Sequence, residues 1–155
     1  MNCNFNFKEY NKEISYFPTR MLVVQTFYSI QIRRKVRQLS SSLINIIQSS
    51  INFSNKNFIE NFQYYNLKNN FFNQIVFKIL KNQVIIDNFI NKTISHNWSI
   101  KRISKVTYSI LSCGLYEKII LKYSFKKLLI NDYLQITKAL GHVKDIGFIN
   151  KILDI

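Results

Sequence analysis

Apolar residues recur along this chain at helical rather than strand spacing. From Arg20, the positions Val23, Val24, Phe27 and Ile30 fall at i, i+3, i+4 and i+7 of the run RMLVVQTFYSIQI, so one face of a helix is buried. Pro18 suits the first turn of that helix, where its missing N–H costs nothing. Val36, Leu39, Leu43, Ile46 and Ile47 form a second stripe over residues 36–50, and SSINFSNKN reads as a loop. A short helix is expected over 57–67. A long one is expected over 70–93, carrying Phe72, Ile75, Val76, Ile79, Val84, Ile86, Phe89 and Ile90, with a break at ISHNW.

Ser99 is the expected cap of the next helix, which runs to about Ile119 with Ile100, Ile103, Val106, Ile110, Leu111 and Leu115 inward. A further helix over 125–140 stops at Gly141, a good left-handed residue just past a helix end. Asp145 is the expected cap of a last short helix, GFINKILD. The helical period outscores alternation in every long segment, and no internal repeat or clear linker is found. The fold class is all-α: a polar, Asn-rich arm over 1–17 and one helical domain over 18–155.

Composition supports this reading. The 155 residues suit one domain, and 47% hydrophobic residues can fill a core. Three Gly and one Pro are too few for the turns of a β-sandwich or barrel. Thirteen Phe and nine Tyr argue against disorder.

Charge changes the picture more. Twenty-two Lys+Arg against 8 Asp+Glu give a formal charge of +14, which points to a polyanionic partner. The lysines as a set also fit a compositional bias toward Asn, Ile, Lys, Phe and Tyr; the arginines fit it less well. Arg33, Arg34, Lys35 and Arg37 form the densest local cluster.

Candidate catalytic chemistry is sparse. No glycine-rich phosphate loop of the G-x-G-x-x-G or Walker kind occurs. His96 and His142 lack a partner at metal-ligand spacing and read as surface or loop residues. Cys113, between Leu111 and Leu115, reads as a small buried hydrophobe rather than a nucleophile. The acids never pair closely enough for two-carboxylate acid–base work. No metal, cofactor or catalytic site is expected. Two cysteines make no disulfide framework, which fits a reducing compartment and a cytoplasmic location. The N-terminus has no signal-peptide pattern, and no 18-residue apolar run predicts a membrane span.

Four blocks, in order, resemble the NusB transcription antitermination factors. RMLVVQTFYSIQI resembles that family's first helix, through Arg20, Val24-Gln25 and Tyr28-Ser29. WSIKRISKVTYSILSCGLYE, from Trp98, is similar to its W-x3-R…YE helix. INDYLQITKALG and FINKILD follow at matching gaps. The likeness covers 18–34 and about 70–154. It implies two packed three-to-four-helix bundles that bind a single-stranded boxA RNA in ribosomal RNA leaders. The implied partners are the ribosomal protein NusE and the RNA polymerase antitermination complex.

By this resemblance Arg20 is a phosphate or base contact at the solvent-facing start of the first helix. Tyr28 stacks an unpaired base or is an edge-of-core tyrosine, and Gln25 reads a base edge or faces water. Phe148 is core or a stacking platform. Lys144 adds attraction to RNA, and Asn150 bonds backbone near a helix end. Glu117 is expected to pair a basic neighbour; Trp98 and Leu153 look like packing. The family's arginine run ahead of the first helix is replaced by YFPT, Tyr16 to Thr19, so Arg33 and Arg34 are the expected partial substitutes. Ser112, Phe125, Asp132 and Lys151 also depart from the family pattern. The alternative is a non-catalytic helical protein-interaction module with only non-specific RNA affinity; an RNA-modifying enzyme ranks third.

Overall fold

The computed structural model describes residues 16–33, 69–94 and 99–155. The helix expected over 36–50, the loop after it, the short helix over 57–67, Trp98, His96 and the arm over 1–15 lie outside the described residues. Among the described residues there are six α-helices and no strand. They are α1 (Phe17–Arg33), α2 (Asn69–Lys81), α3 (Gln83–Thr93), α4 (Lys105–Leu115), α5 (Lys126–Ala139) and α6 (Ile146–Asp154). The all-α expectation holds.

α1 opens where Arg20 N–H donates to the Tyr16 carbonyl at 2.9 Å. Pro18 sits among the first N–H positions, which have no intrahelical acceptor. Its expected apolar face is buried, with Val23, Val24, Phe27 and Ile30 each at most 2% exposed. α1 packs on α2, α4 and α5, and α4 packs on α5 and α6. One continuous core runs through all six helices. Tyr16 and Phe17 pack against it from the head of α1.

The long helix expected over 70–93 is two helices meeting at Asn82, whose amide side chain donates to the Lys78 carbonyl at 2.8 Å. Ile75, Val76, Ile79, Ile86 and Ile90 are buried as expected, but Val84 is 72% exposed. The helical period explains this. Val84 is five positions past Ile79, well off the stripe, and Gln83 takes the inward place. Gln83 donates to the Tyr108 hydroxyl at 2.8 Å, and Tyr108 donates to Asp87 at 2.6 Å.

The helix expected from Ser99 is also divided. Ser99 precedes a 3-10 turn, Ile100–Arg102, and makes no side-chain cap bond. Ile103 is extended, and Ser104 caps α4 by accepting from Thr107 N–H at 3.1 Å. α4 runs into a π-helical turn, Tyr116–Ile120, closed by Leu121 N–H on the Tyr116 carbonyl at 3.1 Å.

α5 ends as expected at Gly141, with φ 77°. Gly141 N–H reaches the Lys138 carbonyl and His142 N–H the Thr137 carbonyl, both at 3.0 Å. That pair satisfies the last carbonyls of the helix in the Schellman manner. Asp145 precedes α6 but makes no side-chain cap bond. Its carboxylate instead accepts from the Thr107 hydroxyl and faces His142 Nδ1 at 3.3 Å, tying the turn between α5 and α6 to the start of α4. Where α4 crosses α5 and α6, Gly114 leaves no room for a side chain. A Cβ there would lie 2.9 Å from Leu153 and 3.3 Å from Tyr133.

The reading of Val84 and Ile86 is directly testable by chemical denaturation. Ile86→Ala should cost about 2–5 kcal/mol, as large-to-small core changes do. Val84→Ala should stay within about 0.5 kcal/mol.

Candidate nucleic-acid interface

Three charged residues lie on the apolar stripes themselves. Arg20 precedes Val24 and Phe27 at helical spacing, Glu117 follows Ile110 and Cys113, and Asp132 follows Leu129. Folding brings all three together. Arg20 is 1% exposed, Glu117 1% and Asp132 2%. Arg20 Nη2 pairs with Glu117 Oε2 at 2.8 Å, Nε reaches the same carboxylate at 3.0 Å, and Nη1 pairs with Asp132 Oδ2 at 2.6 Å. The Tyr133 hydroxyl donates to Glu117 Oε1 at 2.6 Å. Ring faces close the site: the guanidinium carbon lies 4.9 Å from the Tyr123 centroid, 5.6 Å from Tyr16 and 5.9 Å from Tyr133. Burial, reinforced by the Glu117 charge, pushes the Tyr133 phenol well above its ordinary range.

This corrects the solvent-facing placement of Arg20. Its guanidinium points into the core because both its carboxylate partners are there, so it presents no surface to a phosphate. Glu117 does pair a basic residue, as expected, though one 97 positions away. Nothing local in the sequence joins them. The available signal was positional: a cation on a buried stripe needs buried anions, and two other stripes each carry one.

The remaining candidates fall on several elements. Gln25 is exposed and Tyr28 half-buried, three positions apart on the outer side of α1. Arg33 is the last residue of α1; its side chain and all of Arg34 lie outside the described residues. Lys144 is exposed on the 3-10 turn Val143–Asp145, which the Asp145–Thr107 bond fastens to α4. Phe148, in the first turn of α6, is partly buried against the core, and Asn150 is exposed. Leu153 is fully buried, as its packing reading requires, and so is Cys113, whose thiol is pushed up by burial and then by Glu117.

Charge is distributed unequally between surface and interior. Residues 99–155 hold ten Lys and Arg against four Asp and Glu. Glu117 and Asp132 are consumed in the core by Arg20, and Asp145 is tied to Thr107 and His142. Only Asp154 remains as an exposed acid in this stretch. The exterior of residues 99–155 is therefore more cationic than the balance of that stretch in sequence. Among the described residues, no group of three or more His, Cys, Asp or Glu could hold a metal ion, and no helix is long and apolar enough to cross a membrane.

Comparison with known proteins fits this architecture. The NusB family model matches residues 18–155. A transcription antitermination protein NusB of Borreliella afzelii is 33% identical over 139 residues, covering 87% of this chain and 91% of that protein. The crystal form of T. maritima NusB superposes with a TM-score of 0.71 at 21% identity, covering 92% of this chain and 90% of that one. The antitermination factors NusB and NusE in complex with dsRNA give a TM-score of 0.68 at 19% identity, covering 89% and 92%.

Two measurements check this geometry. Arg20→Met leaves two buried carboxylates without their cation and should cost about 3–5 kcal/mol in thermal or denaturant unfolding. Arg20→Lys should recover little of it, since one ammonium cannot reproduce the forked contacts. Separately, Tyr108 is pushed up to about 12 by burial and then by its bond to Asp87. Its folded-state value lies above the ordinary 10, so its stabilisation is complete below pH 10 and fades as pH rises through 12. Melting temperature should therefore fall across that window, less steeply in Tyr108→Phe.

Proposed function

The chain belongs to the NusB family, and we propose that it serves as an antitermination adaptor for boxA-type single-stranded RNA in ribosomal RNA leaders, acting with NusE. The family's factors are non-catalytic, so the chain is a binding protein and not an enzyme. The observation that carries the RNA reading is the sorting of charge described above. The fold buries two of its acids, Glu117 and Asp132, against Arg20 and leaves an exterior rich in cations, and Tyr28 is half-exposed on α1. A NusB homologue crystallised with NusE and dsRNA supports the choice of partners.

In this reading affinity comes from lysines and arginines that displace counterions along the RNA. Selection of bases comes from stacking on Tyr28 and edge contacts by Gln25, on a helix held rigid by its buried face. Lys144 and Phe148, fixed by the Asp145–Thr107 bond and the core, form a second contact point. Arg33, the last residue of α1, and Arg34 next in sequence would add their charge to this attraction. The complex would join the RNA polymerase antitermination machinery in the cytoplasm.

The decisive experiment titrates the protein, with and without its own NusE, against a boxA-like RNA and a scrambled RNA of equal length at two salt concentrations. Preferential boxA binding that NusE strengthens supports the adaptor. Equal, steeply salt-dependent binding to both RNAs with no NusE effect rejects it in favour of a helical module with non-specific RNA affinity. Tyr28→Ala should weaken boxA binding by about 1–3 kcal/mol, the worth of one stacked base, while Tyr28→Phe stays near wild type.

A further inference from the structure

We infer that Lys122, Lys126 and Lys127, with Lys118 beside them, form a sequence-independent phosphate-contact surface at the head of α1, distinct from Gln25 and Tyr28. The inference rests on the RNA-binding reading and names a part of the RNA path within it.

Four cations and no acid fall within residues 118–127, and the adjoining Glu117 is buried against Arg20. Lys122, Lys126 and Lys127 are exposed, and the first turn of α5 that carries Lys126 and Lys127 holds no acid. Lys118 is half-buried and donates to the Leu153 carbonyl at the end of α6. Its ammonium is held below the ordinary range by burial and then by the nearby Lys126 charge, against a smaller opposing pull from Asp154. Lys118 and Lys126 are therefore like charges held near one another, with Asp154 only partly offsetting them. Such crowding opposes the compact state unless a polyanion answers it.

Lys122 has φ 51°, in the left-handed region that favours glycine. No backbone requirement calls for a long cation at that position. The loop is anchored by Tyr123. Tyr123 is 1% exposed, Tyr123 N–H donates to the Glu117 carbonyl at 3.1 Å, and the Tyr123 ring meets Tyr16 edge-on at 6.5 Å and Phe125 at 6.0 Å. Arg20 sits over the same Tyr123 ring at 4.9 Å. The buried ion cluster thus bolts the lysine loop to the first turn of α1. Tyr28 lies twelve residues along the chain from Tyr16, about 18 Å at the helical rise, which is the span along α1 that RNA reaching both Tyr28 and the head of α1 would cover.

The test uses the full chain, the boxA-like RNA and the scrambled RNA, and compares wild type with three variants. These are the triple K122Q/K126Q/K127Q, the triple K122R/K126R/K127R, and the single Lys122→Gly. The glutamine triple should lower the slope of log K against log salt by about 2, near 0.7 per lost contact, equally on both RNAs. The ratio of boxA to scrambled affinity should not change. The arginine triple should keep the wild-type slope. Lys122→Gly should lower the slope by about 0.7 with no loss of melting temperature, because glycine relieves the left-handed backbone. An unchanged slope in the glutamine triple overturns the inference. So does a loss confined to boxA, or a loss of NusE binding with RNA binding intact. A wild-type chain without boxA preference would reject the adaptor reading instead, while the slope change on scrambled RNA would still establish the lysine surface.

Discussion

The buried pairing of Arg20 with Glu117 and Asp132 is the constraint on which the rest of the structure depends. It joins the first turn of α1 to the π-helical turn after α4 and to the second turn of α5, elements about a hundred residues apart in sequence. Desolvating three charges is costly, and it succeeds only because the geometry is multiply bonded: a forked guanidinium, a phenol donor and three ring faces. An apolar contact at this place would tolerate sliding. A guanidinium fitted to two carboxylates does not, so α1 is held in a single register and its outer residues in single directions.

That register has an electrostatic consequence. Each acid drawn inside is one fewer on the surface, and Arg20 is the only cation among the described residues that is fully buried to match them. The exterior of 99–155 is left with a marked excess of lysine. The interaction that organises the core therefore also shapes the field outside it, which is where an RNA partner would be steered. The π-helical turn contributes by placing Glu117 inward, while Lys122 just after it is exposed.

Much of the fold was legible in the sequence because helix burial has a period. The buried face of α1, the existence of α5 and α6, the stop at Gly141 and the buried Cys113 and Leu153 all follow from local spacing and local turn chemistry. The departures have local causes too. Asn82 divides one long stripe, and Val84 lies off it. Ser104 rather than Ser99 is the cap that closes on a backbone N–H, because the chain first makes a 3-10 turn and an extended step. Asp145 stands at the start of α6 yet bonds to Thr107, a partner no local rule predicts. Of the candidate contact residues, Gln25 and Lys144 lie on the surface, whereas Arg20 does not.

By itself the sequence determined the all-helical class, the apolar faces, the excess of positive charge and the family resemblance. Each of these is a property of composition or of spacing within one helix, where neighbours are set by the 3.6-residue turn. Only the tertiary structure decided which charges are interior. The direction of the Arg20 side chain depends on carboxylates 97 and 112 residues away, and a long-range pairing leaves no periodic trace along the chain. The placement of Lys122 and the loop leading into α5 near the head of α1 was decided in the same way, by Tyr123 packed against that buried arginine and Tyr16.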